Sequence, residues 1–226
     1  MEGFEQTIER AHAYFETKNK ARDQALSRSR ELIRHCALAI RAVHRGEEDL
    51  AVRLLGTAQQ AAREMVIDLG LHPDLYHTGY TQDALKELVE AHVTHALIVG
   101  HRLPTPEELD VLPSTYLKGL AEAMGEMRRH ILDVIRHGDV GRSEELLRTM
   151  EDVYSALVTM DYPDALTAGL RRTTDMVRGV LERTRGDLTV AARQDAMHRA
   201  LASFEQRIMM EEQLRPPVLE GNEDDD

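Results

Sequence analysis

A chain of 226 residues with a formal charge of −12, no tryptophan and a single cysteine is long enough to bury a real core, yet offers little material for β-sheets and none for an intrachain disulfide. Ala, Leu, Glu and Arg dominate, and no Pro/Gly/Ser-rich linker divides the chain, so the expectation is an all-α protein with one helical domain over 1–212 and a disordered acidic tail over 213–226. No apolar run approaches the roughly 20 residues of a membrane span, and none resembles a signal-peptide core, which predicts a cytoplasmic protein without a membrane partner.

The first predicted helix is the longest. Phe4, Ile8, Ala11, Phe15, Lys18, Arg22, Ala25, Ser29, Leu32, Cys36, Ala39 and Val43 step alternately by four and three, a heptad-like seam interrupted by Lys18, Arg22 and Ser29. Gly46 ends it, and Glu47, Glu48 and Asp49 place acids at the start of a second helix running to Leu69, before Gly70 and Pro73. A third is expected from Asp74 or Thr81 to Arg102, and a short fourth follows Thr105 as cap with Pro106 at its first position. The fifth starts after Pro113, with Ser114 as cap, and reaches His137. A sixth spans Ser143 to Met160. After the turn signal Asp161-Tyr-Pro-Asp164, a last helical region runs from Ala165 to Glu212 with a break expected at Arg185-Gly-Asp187.

Charge is unevenly spread along this series. Five acids crowd the end, Glu220-Gly-Asn-Glu-Asp-Asp-Asp226, whereas Lys18 to Arg45 is locally basic. Arginine can fork onto phosphate with two parallel hydrogen bonds, which makes Arg28, Arg30 and Arg34 candidate nucleic-acid contacts. The alternative reading is that these side chains solvate one face of a helix.

Four carboxylates carry the chemistry. Glu87 and Glu90 in Leu85-Lys-Glu-Leu-Val-Glu-Ala91 stand at i,i+3. Glu122 and Glu126 in Tyr116-Leu-Lys-Gly-Leu-Ala-Glu-Ala-Met-Gly-Glu-Met127 stand at i,i+4, so each pair shares one helix face. Two such faces packed together would make a pocket of hard oxygen ligands of the kind that holds Mg²⁺ or Mn²⁺. Spacing alone is also compatible with exposed, salt-bridged faces.

These two blocks, the second followed by His137-Gly-Asp139 and later by Asp161-Tyr-Pro163, resemble the translin family, and within it the catalytic branch of translin-associated factor X (Trax), in its archaeal and bacterial form. The resemblance extends over most of the chain. It implies a seven-helix all-α fold and a metal-dependent endoribonuclease that cleaves single-stranded RNA, with Mg²⁺ or Mn²⁺ as cofactor, inside a closed homo-oligomer, typically an octamer. It further implies that Glu87, Glu90, Glu122 and Glu126 are the catalytic and metal-binding residues, one free carboxylate oxygen serving the attacking water. Two positions depart from the family pattern: Glu122 stands where Asp is usual, and Lys118 where an apolar residue is usual. The nucleic-acid segment of translin is echoed here only by His77 and Tyr80.

Two alternatives remain open at the level of sequence. One is a non-catalytic, translin-like scaffold for single-stranded RNA or DNA. The other is a ferritin-like di-metal bundle, for which Asp195-Ala-Met-His198 has the spacing but no second copy exists. His92 and His95 follow Glu90 on the same helix and are read as packing or surface residues, while His130, four beyond Glu126, is placed where an outer partner of the site would stand. Met124, Met127, Met150 and Met160 are read as core.

Overall fold

The computed structural model describes residues 2–213. It is all-α, with nine helices and no strand among the described residues. They are α1 (Glu2–His44), α2 (Glu48–Asp68), α3 (Pro73–Tyr76), α4 (Gly79–Val99), α5 (Pro106–Leu109), α6 (Pro113–Arg136), α7 (Val140–Val158), α8 (Asp164–Thr167) and α9 (Leu170–Gln213). The expected count of seven is exceeded by α3 and α8, single turns of four residues each that periodicity over a longer window cannot register. Residues 214–226, nearly all of the expected tail, lie outside the described residues.

Punctuation residues set most boundaries. Gly46, Gly100 and Gly138 take positive φ values of 70°, 84° and 85° just beyond α1, α4 and α6, where a side chain would be strained. Thr105 and Glu108 form a reciprocal capping box on α5. Asp139 accepts from the Arg142 N–H at 2.8 Å and caps α7. Ser114, expected to cap α6, does not: the cap is Leu112, without a side-chain bond, and Pro113 opens the helix because its fixed φ suits the first turn.

The last helix departs from expectation. No break occurs at Gly186; the chain breaks earlier, at Ala168 and Gly169, with φ values of 51° and 81°. A lone glycine costs a helix only about 1 kcal/mol, and here its neighbours are clamped from two sides. Arg185 meets Glu151 of α7 at 2.6 Å, Asp187 meets Arg128 of α6 at 2.7 Å, and Leu188 is buried.

Packing divides into two sets of three long helices. α1 lies along α2 and α4, while α6 lies against α7 and α9; α4 and α6 join the sets. Leu32, Met65, Leu85, Leu88, Met124, Met127, Ile131, Met150 and Leu188 are fully buried in one continuous cluster through both. Met160, expected in the core, is 39% exposed, because it falls in the turn after α7.

The seam of α1 is only half used. Ala25, Ser29, Leu32, Cys36, Ala39 and Val43 are buried, but Phe4, Ile8 and Phe15 are exposed. α9 mirrors this: Val177, Leu181 and Leu188 are buried, while Met197, Leu201, Phe204 and Ile208 are exposed. At 1.5 Å per residue both helices outrun the core they serve. No helix among the described residues is long and apolar enough to cross a membrane.

Candidate metal centre

The joint between α4 and α6 is where the carboxylates meet. Gln82, Lys86 and Val89 on α4 face Thr115, Glu122 and Gly119 on α6, with Thr115 donating its hydroxyl to the Gln82 side-chain oxygen. Gly119 sets the separation of the two helices. A Cβ there would lie 2.6 Å from Val89 Cβ and 2.7 Å from the Lys86 carbonyl oxygen, closer than atoms can approach. The glycine of the Tyr-Leu-x-Gly block therefore permits the contact that brings the acids of the two helices within reach.

Glu87, Glu90 and Glu122 each present a carboxylate oxygen, and the three oxygens lie within 4.8 Å of one another; no other such group of His, Cys, Asp or Glu occurs among the described residues. Electrostatics registers the crowding. Burial pushes the Glu90 carboxyl up to about 8, and Glu87, Glu122 and Glu126 add to the shift. Glu87 is also raised, by burial first, with Glu122 and Asp83 contributing. Beneath them on α1, burial pushes the Cys36 thiol up, and the charges of Glu87 and Glu90 reinforce it.

Glu126 stands apart from this trio. Its Oε2 accepts from Nε2 of His44, at the end of α1, at 2.5 Å, and Arg129 lies 3.7 Å away. The His44 bond holds the Glu126 carboxyl below its ordinary range against the opposing effect of burial. Of the four predicted residues the structure thus groups three and gives the fourth a separate partner. His44 carries no sequence signal, being 82 positions from Glu126, and its Nδ1 is buried without a partner among the described residues.

Lys86 is the second residue that sequence reasoning missed, although it lies inside the motif. Its Nζ is 2.9 Å from Oε1 and 2.7 Å from Oε2 of Glu122, and 3.8 Å from Glu87. Burial disfavours the ammonium charge, yet the hydrogen bond and charge of Glu122, with Glu87 and Asp83, outweigh it and raise the Lys86 pKa.

The remaining candidates are placed elsewhere. His92 and His95 line a cleft of about 730 Å³ with Gln59, His101 and Arg102; burial and His95 push His92 down to about 4, and His95 pairs with Glu48 at 2.8 Å. The His130 ring lies tilted beside His44, with ring centres 6.4 Å apart and planes at 41°. Arg28 is engaged by α2, with a hydrogen bond to Glu64 at 2.8 Å and an ion pair with Asp68 at 2.5 Å, whereas Arg30 and Arg34 are exposed. His198 is exposed, and Asp195 pairs with Arg199 at 2.8 Å.

No family model matches the chain. The uncharacterized protein MJ0175 of Methanocaldococcus jannaschii is 31% identical over 177 residues, 77% of this chain and 78% of that protein. The crystal structure of AfC3PO is 31% identical with a TM-score of 0.76, covering 83% of this chain and 98% of that one. AfC3PO in complex with duplex RNA gives a TM-score of 0.72 over 97% of its chain at the same identity. Apo-NeC3PO, at 20% identity and a TM-score of 0.74, shares the fold. With identity of 31% across nearly the whole of AfC3PO, and with its two acidic motif blocks face to face on α4 and α6, the chain belongs to the translin family, together with the C3PO proteins.

Proposed function

We propose that the chain is a metal-dependent endoribonuclease of the Trax-like branch, cleaving single-stranded RNA within a homo-oligomer. One observation carries the reading: three carboxylates from two helices converge within 4.8 Å at a half-buried seam. Like charges so close oppose folding unless a cation or a proton relieves them. The donor set is all hard oxygen, which fits Mg²⁺ or Mn²⁺ better than softer metals. The RNA reading is supported by AfC3PO, 31% identical, whose structure was solved with duplex RNA.

Glu87, Glu90 and Glu122 would hold the ion. A divalent ion held there would supply neutralisation of phosphate charge and a lowered pKa for an attacking water. Glu126 lies one helical turn from Glu122 and is oriented by His44, so its carboxylate is the group assigned to accept a proton from that water. Arg30 and Arg34, exposed on α1, are the assigned phosphate contacts, ahead of Arg28, whose guanidinium is already engaged by Glu64 and Asp68.

A binding scaffold is the second reading, and the Lys86–Glu122 ion pair favours it, since an ammonium already satisfies both oxygens of one carboxylate. Incubating the purified protein with labelled single-stranded or duplex RNA in Mg²⁺, Mn²⁺ or EDTA decides between them. Cleavage of the single strand that EDTA abolishes is expected. Binding without cleavage in either metal would establish the scaffold, and cleavage of the duplex alone would replace the proposed substrate form.

A further inference from the structure

Lys86 is a cation placed among ligands assigned to a cation. Its ammonium lies within 2.9 Å of both oxygens of Glu122, so this carboxylate already has a resident cation. The side chain is only 15% exposed and has a further acid, Glu87, at 3.8 Å, which confines it to the cluster. Charge points the same way. With all three carboxylates ionised, as metal ligation requires, one ammonium leaves a net charge of −2, which one divalent ion neutralises. Glu126 does not enter this balance, because His44 and Arg129 already attend it.

We propose that Lys86 is the site's own second cation: the RNA-free chain binds one divalent ion per site, and the Lys86 ammonium faces the scissile phosphate in the role a second ion would otherwise fill. The proposal rests on the nuclease reading above. In the hydrolysis the water oxygen bonds to phosphorus and the bond from phosphorus to one ribose oxygen breaks, its electron pair leaving with that oxygen. The water releases one proton, and the departing oxygen gains one from solvent. Lys86 transfers no proton; it offsets negative charge on the non-bridging oxygens.

The test is Mn²⁺ binding to the RNA-free, full-length protein, followed by titration calorimetry and by electron paramagnetic resonance. Wild type should bind one Mn²⁺ per chain with the spectrum of a lone, uncoupled ion. Lys86→Gln should bind the ion about tenfold more tightly, a tenfold change being 1.4 kcal/mol, because the competing ammonium is gone; Lys86→Arg should stay close to wild type. At saturating Mn²⁺, Lys86→Gln should lower kcat for RNA cleavage with little change in KM. Two coupled ions in wild type, or unchanged Mn²⁺ affinity in Lys86→Gln, would overturn the role of Lys86 while leaving the nuclease reading intact. Absence of Mn²⁺ binding to wild type and to Lys86→Gln alike would remove both.

Discussion

Glu90 is the residue on which the site's electrostatics converge, and its linkage to stability has a definite sign. Its carboxyl titrates near 8 in the folded chain against an ordinary value of 4.5, so the folded state holds this proton more tightly between those limits. Stability must therefore fall as pH rises from about 4.5 through 8. In metal-free buffer above pH 8, Glu90→Gln should be more stable than wild type by about 1 kcal/mol, or roughly 2–4 °C in Tm. Saturating Mg²⁺ should reverse the order, because the ion stabilises only the chain that retains its ligand. Melting curves across pH with and without Mg²⁺ check this; a pH-independent difference would show that Glu90 is not strained by its neighbours. His44 offers a second test at the same scale. His44→Ala should lower kcat about tenfold with RNA affinity unchanged. It should also move the acidic limb of the pH–rate profile upward, since Glu126 loses the bond that depresses its pKa. A profile that keeps its shape would make His44 a packing residue.

At the scale of elements, the approach of α4 to α6 decides whether the carboxylates form a site at all. Gly119→Ala places a methyl group inside contact distance of Val89 and the Lys86 backbone, and the backbone atom cannot move aside alone. Overpacking of this kind costs about 1–3 kcal/mol. The helices should separate, so Mn²⁺ affinity should drop together with Tm, whereas Gly125→Ala, which meets nothing within 4 Å, should leave the site intact. Equal metal affinity in both variants would show that Gly119 does not set the spacing. The uninterrupted α9 makes a related point, because Gly186 lies within it rather than at its boundary: ion pairs on both flanks, Arg185–Glu151 and Asp187–Arg128, tie that turn to two neighbouring helices.

Over the whole molecule, the unused halves of α1 and α9 are the prominent surface. Phe4, Phe15, Leu201 and Phe204 are all more than half exposed, an arrangement that favours association because apolar area is removed from water when such faces meet. Light scattering at micromolar concentration should therefore give a mass well above 25.6 kDa. Replacing Phe15 and Phe204 together by Glu should shift the population toward smaller species. A monomeric wild type would contradict the proposed homo-oligomer, and the octamer implied by family resemblance would go with it. On intact oligomer, Arg30→Ser with Arg34→Ser should weaken RNA binding and flatten its salt dependence, because fewer counterions are released.

Much of this was legible in one sequence because the physics is local. Helix periodicity, the glycines after α1, α4 and α6, and the Thr105–Glu108 capping box depend on residues a few positions apart, and so does the sharing of one face by Glu87 and Glu90. The motif blocks extended that reading to a family. What only the tertiary structure decided lies across long separations. Gly119 against Val89, Lys86 on Glu122 and His44 on Glu126 each join residues on different helices, where no spacing rule applies. Glu122 and Glu126 look equivalent in sequence, four apart on one face. They part company in the fold because α4 reaches one of them and the end of α1 reaches the other.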